Sequence, residues 1–417
     1  MSWGRASLTL AGFALLFLLA GCGGTRDQAV GNRISGTTLT IYSSLPLQGP
    51  SSVTGQALLN GEQLALGQVG SRIGKYRIAF KSLDDATPLR GEWDPGQTTI
   101  NANQALQDKT AVGYIGELNS GASAVSIPLL NRLGIAQISP TSSAIGLTVN
   151  GPAASPGEPQ KYYPTGTRTF ARVVPNDQVE AKAMVTLQLQ EGCTRTYVLE
   201  DGEVDGEDTA TTFEVEAKGS PLKVIAVQVF EPKASNYTSL AASVAQSGAN
   251  CVLISAIANN HASLLSDQVA AALPSALLFG TTGLADSTYA DPNQGGIPLA
   301  LDSRVLITVP TLGVSEDPTA ARAFYAAYMP RFGDPQPLAI FGYEAMSLML
   351  NAIDRATDHG HNAAVRSKVL AAIFTTHDRR SVLGAYSIDR NGDTTLDRYG
   401  VWRVVGGRLE FWRAIAS

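Results

Sequence analysis

"AVGYIGELNSGASAVSIPLLNRLGIAQISP", residues 111–140, decides the fold. It begins with an apolar run, AVGYIGEL, and ends with another, IAQISP. Between them, SAVSIPLLNRLG carries its apolar residues at helical spacing. A strand, a helix and a second strand in this order give two parallel strands joined by a crossover helix. The junction GELNSGAS, residues 116–123, places small polar residues where the first strand gives way to the helix. Such a junction presents free backbone N–H groups and a positive dipole end, which suits a phosphate or carboxylate.

The same alternation extends outward from this stretch. Upstream, TLTIYSSL and YRIAFKSLDD read as strands, and SSVTGQALLNGEQLALGQV and TTINANQALQDK as helices. Downstream, the Pro/Gly-rich NGPAASPGEPQKYYPTG interrupts as a surface loop. A second unit begins near FARVVPNDQ, with helices VEAKAMVTLQLQE, EDTATTFEVEAKG, YTSLAASVAQSG and ASLLSDQVAAAL. Its strands are TRTYVLED, KVIAVQVF, CVLISA and SALLFGT. RVLITVPTLG reads as a segment crossing back to the first unit, followed by the helices PTAARAFYAAYMPRFG and AIFGYEAMSLMLNAIDRA. GAYSIDRNGDTTLDRYGVWRVVGGRLEF reads as paired strands around an Asn-Gly turn. The expected fold class is α/β, with two Rossmann-like lobes built on parallel sheets. The expected lobes are 38–175 with 310–380, and 176–309 with 381–417.

The first residues address location. Arg5 is the only charge before LTLAGFALLFLLA, a run too short for a comfortable membrane span, so residues 1–21 read as a secretory signal. The run ends in LAGC, residues 19–22, which resembles a bacterial lipobox. That resemblance implies cleavage before Cys22, a lipid on its sulfur, and residues 22–37 as a flexible tether. About 395 residues remain, too many for one core and suited to two. No later segment approaches membrane-spanning length, so the body is expected to be soluble. The net charge of −5 with no basic block argues against nucleic acid as a partner. With Cys22 lipidated, Cys193 and Cys251 are left, each directly before an apolar run. In an oxidising compartment they form a disulfide, or remain two small buried thiols.

The chain resembles the periplasmic substrate-binding proteins of branched-chain amino acid ABC transporters. The matching stretches are LPLQGPSSVTGQALLNGEQLAL, LDDATP, YIGELNSGASAVSIPLLNRLGIAQISPTSS, FARVVPNDQVEAKAM, YEAMSLMLNAI and GAYSIDRNGD, in order and at the family's spacing. The resemblance implies a type I periplasmic binding fold: two lobes, three hinge crossovers and a ligand held in the cleft. It also implies an ABC permease as partner and a membrane attachment through Cys22. The protein is expected to be monomeric and extracytoplasmic, in the periplasm or at the cell surface.

In that family the GxxxS turn binds the ligand's carboxylate, which here points to Ser120. The next turn, ISPTSS, supplies Thr141 and Ser143. The alternative for any such residue is a helix N-cap. Ser52 and Thr54 occupy the first βα loop, where the family often has an aromatic. Asp177, in VPNDQ, matches an acidic residue at the first hinge crossing, or caps a helix beginning at Val179. The second lobe departs further. Asp205 stands where the family's DxxxYG motif has a tyrosine, and Thr282 where amino acid binders carry a carboxylate for the ammonium. An ammonium buried without such a partner is costly. Either Asp205 or Asp177 takes that role, or the ligand is not an amino acid. Asp201, Glu203 and Asp205 make an acidic rim that favours a cationic ligand, or else a solvated charged loop.

Other signals point nowhere. DRNGDTTLD alternates oxygen ligands from Asp389 to Asp397, but its glycine is fourth rather than sixth, and the twelfth residue is Gly400. A hairpin turn fits better. His359 and His361 stand in a polar loop without a third ligand; no metal and no cofactor is expected. There is no G-x-S-x-G elbow, H-E-x-x-H or Walker loop, and GSRIGK has the wrong glycine spacing. The expected function is therefore binding without catalysis: a lipid-anchored solute-binding protein delivering an amino acid, or a related amide, amine or carboxylate, to an ABC importer. The alternatives are a clamshell sensor feeding a membrane receptor, and an extracellular hydrolase.

Overall fold

The structure is a computed structural model and describes Met1, residues 32–314, Glu316 and residues 319–416. Cys22 and the leader beyond Met1 lie outside the described residues, as do the tether residues before 32.

Two sheets organise the chain. The first contains β1 (Thr38–Leu45), β2 (Arg72–Ile73), β3 (Tyr76–Asp84), β4 (Ala111–Ile115), β5 (Ala136–Ser139) and β6 (Phe170–Arg172) in the order β2-β3-β1-β4-β5-β6. All neighbours are parallel except the short edge pair β2–β3. The second contains β7 (Arg195–Glu200), β8 (Lys223–Val229), β9 (Cys251–Ser255), β10 (Leu277–Gly280), β11 (Val305–Val309), β14 (Arg398–Val405) and β15 (Arg408–Ala416). Its order is β15-β14-β11-β10-β9-β7-β8, parallel from β11 to β8 and antiparallel at β14 and β15. Every residue of β4, β5, β9 and β11 is buried. Strands covered on both faces read as continuous apolar runs, and this explains AVGYI and CVLIS.

The helices are α1 (Ser52–Gln68), α2 (Pro95–Gln107), α3 (Ser120–Asn131), α4 (Asp177–Gln190), α5 (Val204–Ala217), α6 (Thr238–Gln246), α7 (Ser263–Ala272), α8 (Ser287–Ala290), α9 (Thr319–Phe332), α10 (Ala339–Ala356) and α11 (Arg366–Phe374). Starts are set locally where a cap exists: Asp94 accepts from the Gln97 N–H and Pro95 occupies the first turn of α2. That helix therefore begins earlier than its apolar spacing suggests. The chain leaves the first sheet after β6 and builds the second through β11. It then returns as α9–α11, and re-enters the second sheet at β14. The return is held by α10 lying against α1. A Cβ at Gly342 would meet the Leu58 carbonyl oxygen at 2.2 Å, and one at Gly61 the Ala339 carbonyl oxygen at 2.4 Å. The two helices approach this closely only because both positions are glycine.

Three local expectations change. RVLITV is not only a crossing: β11 is a buried strand between β10 and β14, and the chain departs at Pro310. The Asn391–Gly392 turn carries only the isolated Ile388–Thr394 bridge, whereas the long hairpin β14–β15 reverses at Gly406–Gly407. Ahead of both, β12 (Arg379–Ser381) and β13 (Gly384–Tyr386) form a small hairpin. It is fastened to α10 by the buried Glu344, which accepts from Arg379 and from Tyr386 at 2.6 Å each. Finally, α5 begins at Val204, so Asp205 lies in a helical first turn rather than in a loop.

Cys193 and Cys251 are joined as a disulfide with Cα atoms 5.8 Å apart. Cys193 precedes β7, and Cys251 opens its parallel neighbour β9. Among the described residues, no helix is long and apolar enough to cross a membrane.

Candidate functional site

The turns that follow β4 and β5 are locked to each other before they meet the second lobe. Ser139 and Ser142 donate to the Glu117 carbonyl at 2.8 and 3.0 Å, and Thr141 donates to the Leu118 carbonyl at 2.8 Å. Thr141 thus spends its hydroxyl tying the two turns together. Arg172 braces the second turn from below. Its guanidinium is fully buried, donates to the carbonyls of Ser142 and Ala144, and pairs with Asp393 at 2.7 Å. Asp393 belongs to the turn that the alternating Asp/Asn pattern singled out. Asp389 caps that turn internally, accepting from the N–H groups of Asn391 and Asp393.

On this braced floor Ser120 and Ser143 face the second lobe, and both donate to one oxygen of Asp205, at 3.2 and 2.6 Å. Ser120 also accepts from the Ala144 N–H at 3.1 Å. It is the first residue of α3, and the N-cap position belongs to Asn119, whose side chain makes no cap bond. The hydroxyl of Ser120 is spent on the neighbouring turn and on Asp205 and not on capping α3. Asp208, one turn further along α5, accepts from the Ile145 N–H at 2.7 Å.

Carboxylates crowd behind this contact. Asp177 opens α4, with Asn176 at the cap position, so it does not cap a helix starting at Val179. Asp177 is fully buried, with the carboxyl of Asp208 beside it. Burial, then the charges of Asp205 and Asp208, push it well above the usual carboxylate range. Asp205 keeps some residue surface accessible, but its carboxyl is hemmed in. Burial raises it while the Ser143 and Ser120 hydroxyls hold it down. Thr282 does not stand alone either. Glu180, from α4, accepts from the Thr282 N–H at 2.7 Å, from its hydroxyl at 3.0 Å and from the Thr308 hydroxyl at 2.6 Å. Burial lifts Glu180 to about 8. A carboxyl group thus stands beside Thr282 after all, brought there by α4 of the same lobe from 102 positions away.

A second cross-lobe contact lies beside the first. Thr54 donates to Asp286 at 2.6 Å, and Asn259 donates to the Ser51 hydroxyl at 2.8 Å. Ser52, one residue on, turns back to the Gly49 carbonyl at 2.6 Å and takes no part. Between the lobes at this point is a cavity of about 60 Å³, lined by Thr54, Asn119, Asn259, Thr282 and Asp286 among others. It is small beside the roughly 300–1,000 Å³ of ordinary small-molecule pockets. At the rim, Trp93 donates to Glu203 at 3.2 Å, and Lys233 pairs with Glu92 at 3.0 Å. Asp201 is buried and accepts from the Ile257 and Glu203 N–H groups and from Asn260. The DGEVDG segment is thereby built into the interface and is not a solvated loop.

Of the residues singled out in the sequence, Ser120, Ser143 and Asp205 come together, Thr54 and Thr282 line the neighbouring cavity, and Asp177 lies behind them. Thr141 bonds across to the turn after β4, and Ser52 bonds within its own turn. Arg172, Glu180, Asp208, Asn259 and Asp286 were not singled out. Arg172 and Glu180 lie within the quoted stretch FARVVPNDQVEAKAM and the other three outside the matching stretches, and only the tertiary arrangement brings them to the cleft.

Three comparisons place this geometry. A periplasmic binding protein family profile matches residues 38–408. A search of curated protein sequences finds no match. Among solved structures, the leucine binding protein LivK of Thermotoga maritima superposes with a TM-score of 0.77 at 20% identity, covering 91% of this chain and 99% of that one. LivJ of Streptococcus pneumoniae, in complex with isoleucine, gives 0.75 at 16% identity, covering 91% and 99%. A solute binding protein from R. palustris, in complex with 4-hydroxybenzoate, gives 0.73 at 17% identity, covering 90% and 96%. The profile spans both sheets and the cleft between them, and the chain belongs to the periplasmic binding protein family.

Proposed function

We propose that the protein is an extracytoplasmic solute-binding protein, held to the membrane by a lipid on Cys22, that captures a small polar ligand between its lobes and hands it to an ABC importer. The observation that carries this reading is the double set of polar contacts across the cleft, Ser120 and Ser143 to Asp205 and Thr54 to Asp286. They join faces that belong to different sheets, so a ligand seated there touches both lobes and favours their closure. Carboxyl groups gather here: Asp286 lines the cavity, and Asp177, Glu180, Asp205 and Asp208 lie behind or beside it. Acidic walls favour a cationic or amide-bearing ligand over an anion. No covalent step is assigned to any of these residues; affinity comes from hydrogen bonds and charge.

A thermal-shift screen of the chain from residue 23 tests this, with amino acids, amides, polyamines, small carboxylates and sugars as probes. A compound that binds only the folded form stabilises it by about 2.7 kcal/mol at a hundredfold excess over Kd. At least one amine or amide is expected to raise Tm, and the same compound is expected to stay chemically unchanged. A library without a single hit, or turnover of a bound ester or amide, would overturn the reading.

A further inference from the structure

The serine hydroxyls at the head of α3 and in the turn after β5 already hold a carboxylate, and it is the protein's own. Ser143 donates to Asp205 at 2.6 Å and Ser120 to the same oxygen at 3.2 Å. This oxygen takes hydrogen bonds that an incoming carboxylate could accept, at the start of a helix of 12 residues with its positive dipole end. We propose that Asp205 is a specificity-determining residue: its carboxylate fills the anion seat of the first lobe when the lobes close, so the cleft excludes ligands that carry a carboxylate and admits those that do not. The proposal rests on the reading of the cleft as a ligand site and narrows the ligand to neutral or cationic compounds.

Three observations support it. Asp205 rides on the second lobe, in the first turn of α5, and reaches across to serines of the first. It is not held in place by a cation of its own. The nearest guanidinium, Arg172, is committed to Asp393, Thr148 and two carbonyls. Its surroundings are further buried carboxyl groups, Asp177 and Asp208, which lie against each other. A second carboxylate would compete with Asp205 for the same two hydroxyls and would bring its charge into a buried pocket without a free counter-charge among the described residues.

The test is chemical rescue. The chain from residue 23 is prepared as wild type, Asp205→Ala and Asp205→Asn, and Tm is followed with sodium acetate against sodium chloride at constant ionic strength. Removing the carboxyl empties the seat, so Asp205→Ala should gain an acetate-dependent rise of about 2 °C or more at 200 mM. Asp205→Asn keeps the seat filled by an amide oxygen and should stay unresponsive, as should wild type. An Asp205→Ala variant that folds and ignores acetate would overturn the proposal. A second measurement does not depend on that variant folding: calorimetry of the wild type with leucine and with benzoate. Absence of binding supports the proposal; a carboxylate that binds and loses affinity in Ser143→Ala sinks it. Leucine binding to wild type would leave the solute-binding reading intact and remove only this inference. Acetate rescue without any hit in the ligand screen would do the reverse.

Discussion

At the scale of single residues, Arg172 does more than any other side chain to shape the cleft. It is fully buried, and its donors reach Asp393, Thr148 and the carbonyls of Ser142 and Ala144. It thus ties the turn bearing Ser143 to the segment that leads into β14. Removing one partner of a buried pair leaves the other charge uncompensated, at a cost of about 3–5 kcal/mol. Arg172→Met should lower the stability measured by urea unfolding by that amount. The double variant Arg172→Met/Asp393→Asn should cost clearly less than the two single changes added together. Simple additivity would show that the pair is not coupled. Nothing in FARVVPNDQ announces this role, because an arginine in a strand reads as an edge or surface residue until the partner, 221 positions away, is in place. The same holds for Glu180 and Asp286. Ser120 and Ser143 were legible because their chemistry is local, a small hydroxyl at a strand-to-helix junction. Their actual partner, Asp205, was legible as a departure from a motif but not as an occupant of the seat.

At the scale of elements, the alternation of apolar strand and amphipathic helix was readable nearly throughout, since parallel strands buried on both faces leave an unmistakable apolar run. Boundaries moved where caps or tertiary contacts override periodicity, as at Asp94 and Val204. The closing hairpin was misplaced because an Asn-Gly pair and a Gly-Gly pair compete as turns, and only the register of β14 against β11 selects the second. The disulfide belongs to this scale, because it clips the end of β7 to that of β9 across a sequence separation of 58. Closing a loop of that length restricts the unfolded chain and contributes roughly 2–4 kcal/mol. Cys193→Ala/Cys251→Ala should therefore lose stability by this order in denaturant unfolding with the m-value little changed. It should keep the Tm response to any ligand found, since neither cysteine approaches the cleft. Equal stability of the oxidised and double-alanine chains would remove the clip from the account.

At the scale of the whole molecule, the protein carries an unusual load of buried carboxyl groups, and they set its response to pH. Burial lifts Glu62 to about 8, Glu180 to about 8, Glu117 to about 7 and Glu203 to about 7. Each binds a proton more tightly in the folded chain than in the unfolded one. Between the ordinary carboxylate value and these raised values the folded state holds more protons, so stability falls as pH rises. The contribution is complete below about pH 4.5 and is lost as pH climbs through about 7 to 8. The melting temperature should thus decline from pH 5.5 to pH 8.5, opposite to a protein whose carboxylates are held by salt bridges. Glu62 offers the cleanest dissection, because it lies in α1 away from the cleft and is fully buried. Only the Ser43 hydroxyl is near enough to temper its rise. Glu62→Gln keeps the shape and removes the titration. It should stabilise the chain at pH 8 by a few kcal/mol, on the order of the shift converted at 1.36 kcal/mol per unit, and change little at pH 5. Urea unfolding of the two chains at both pH values measures this. A Gln variant that is equally or less stable at pH 8, or one whose pH dependence matches wild type, would show that Glu62 ionises in the folded protein without penalty. The fall in stability toward alkaline pH would then have to come from the carboxyls at the cleft alone.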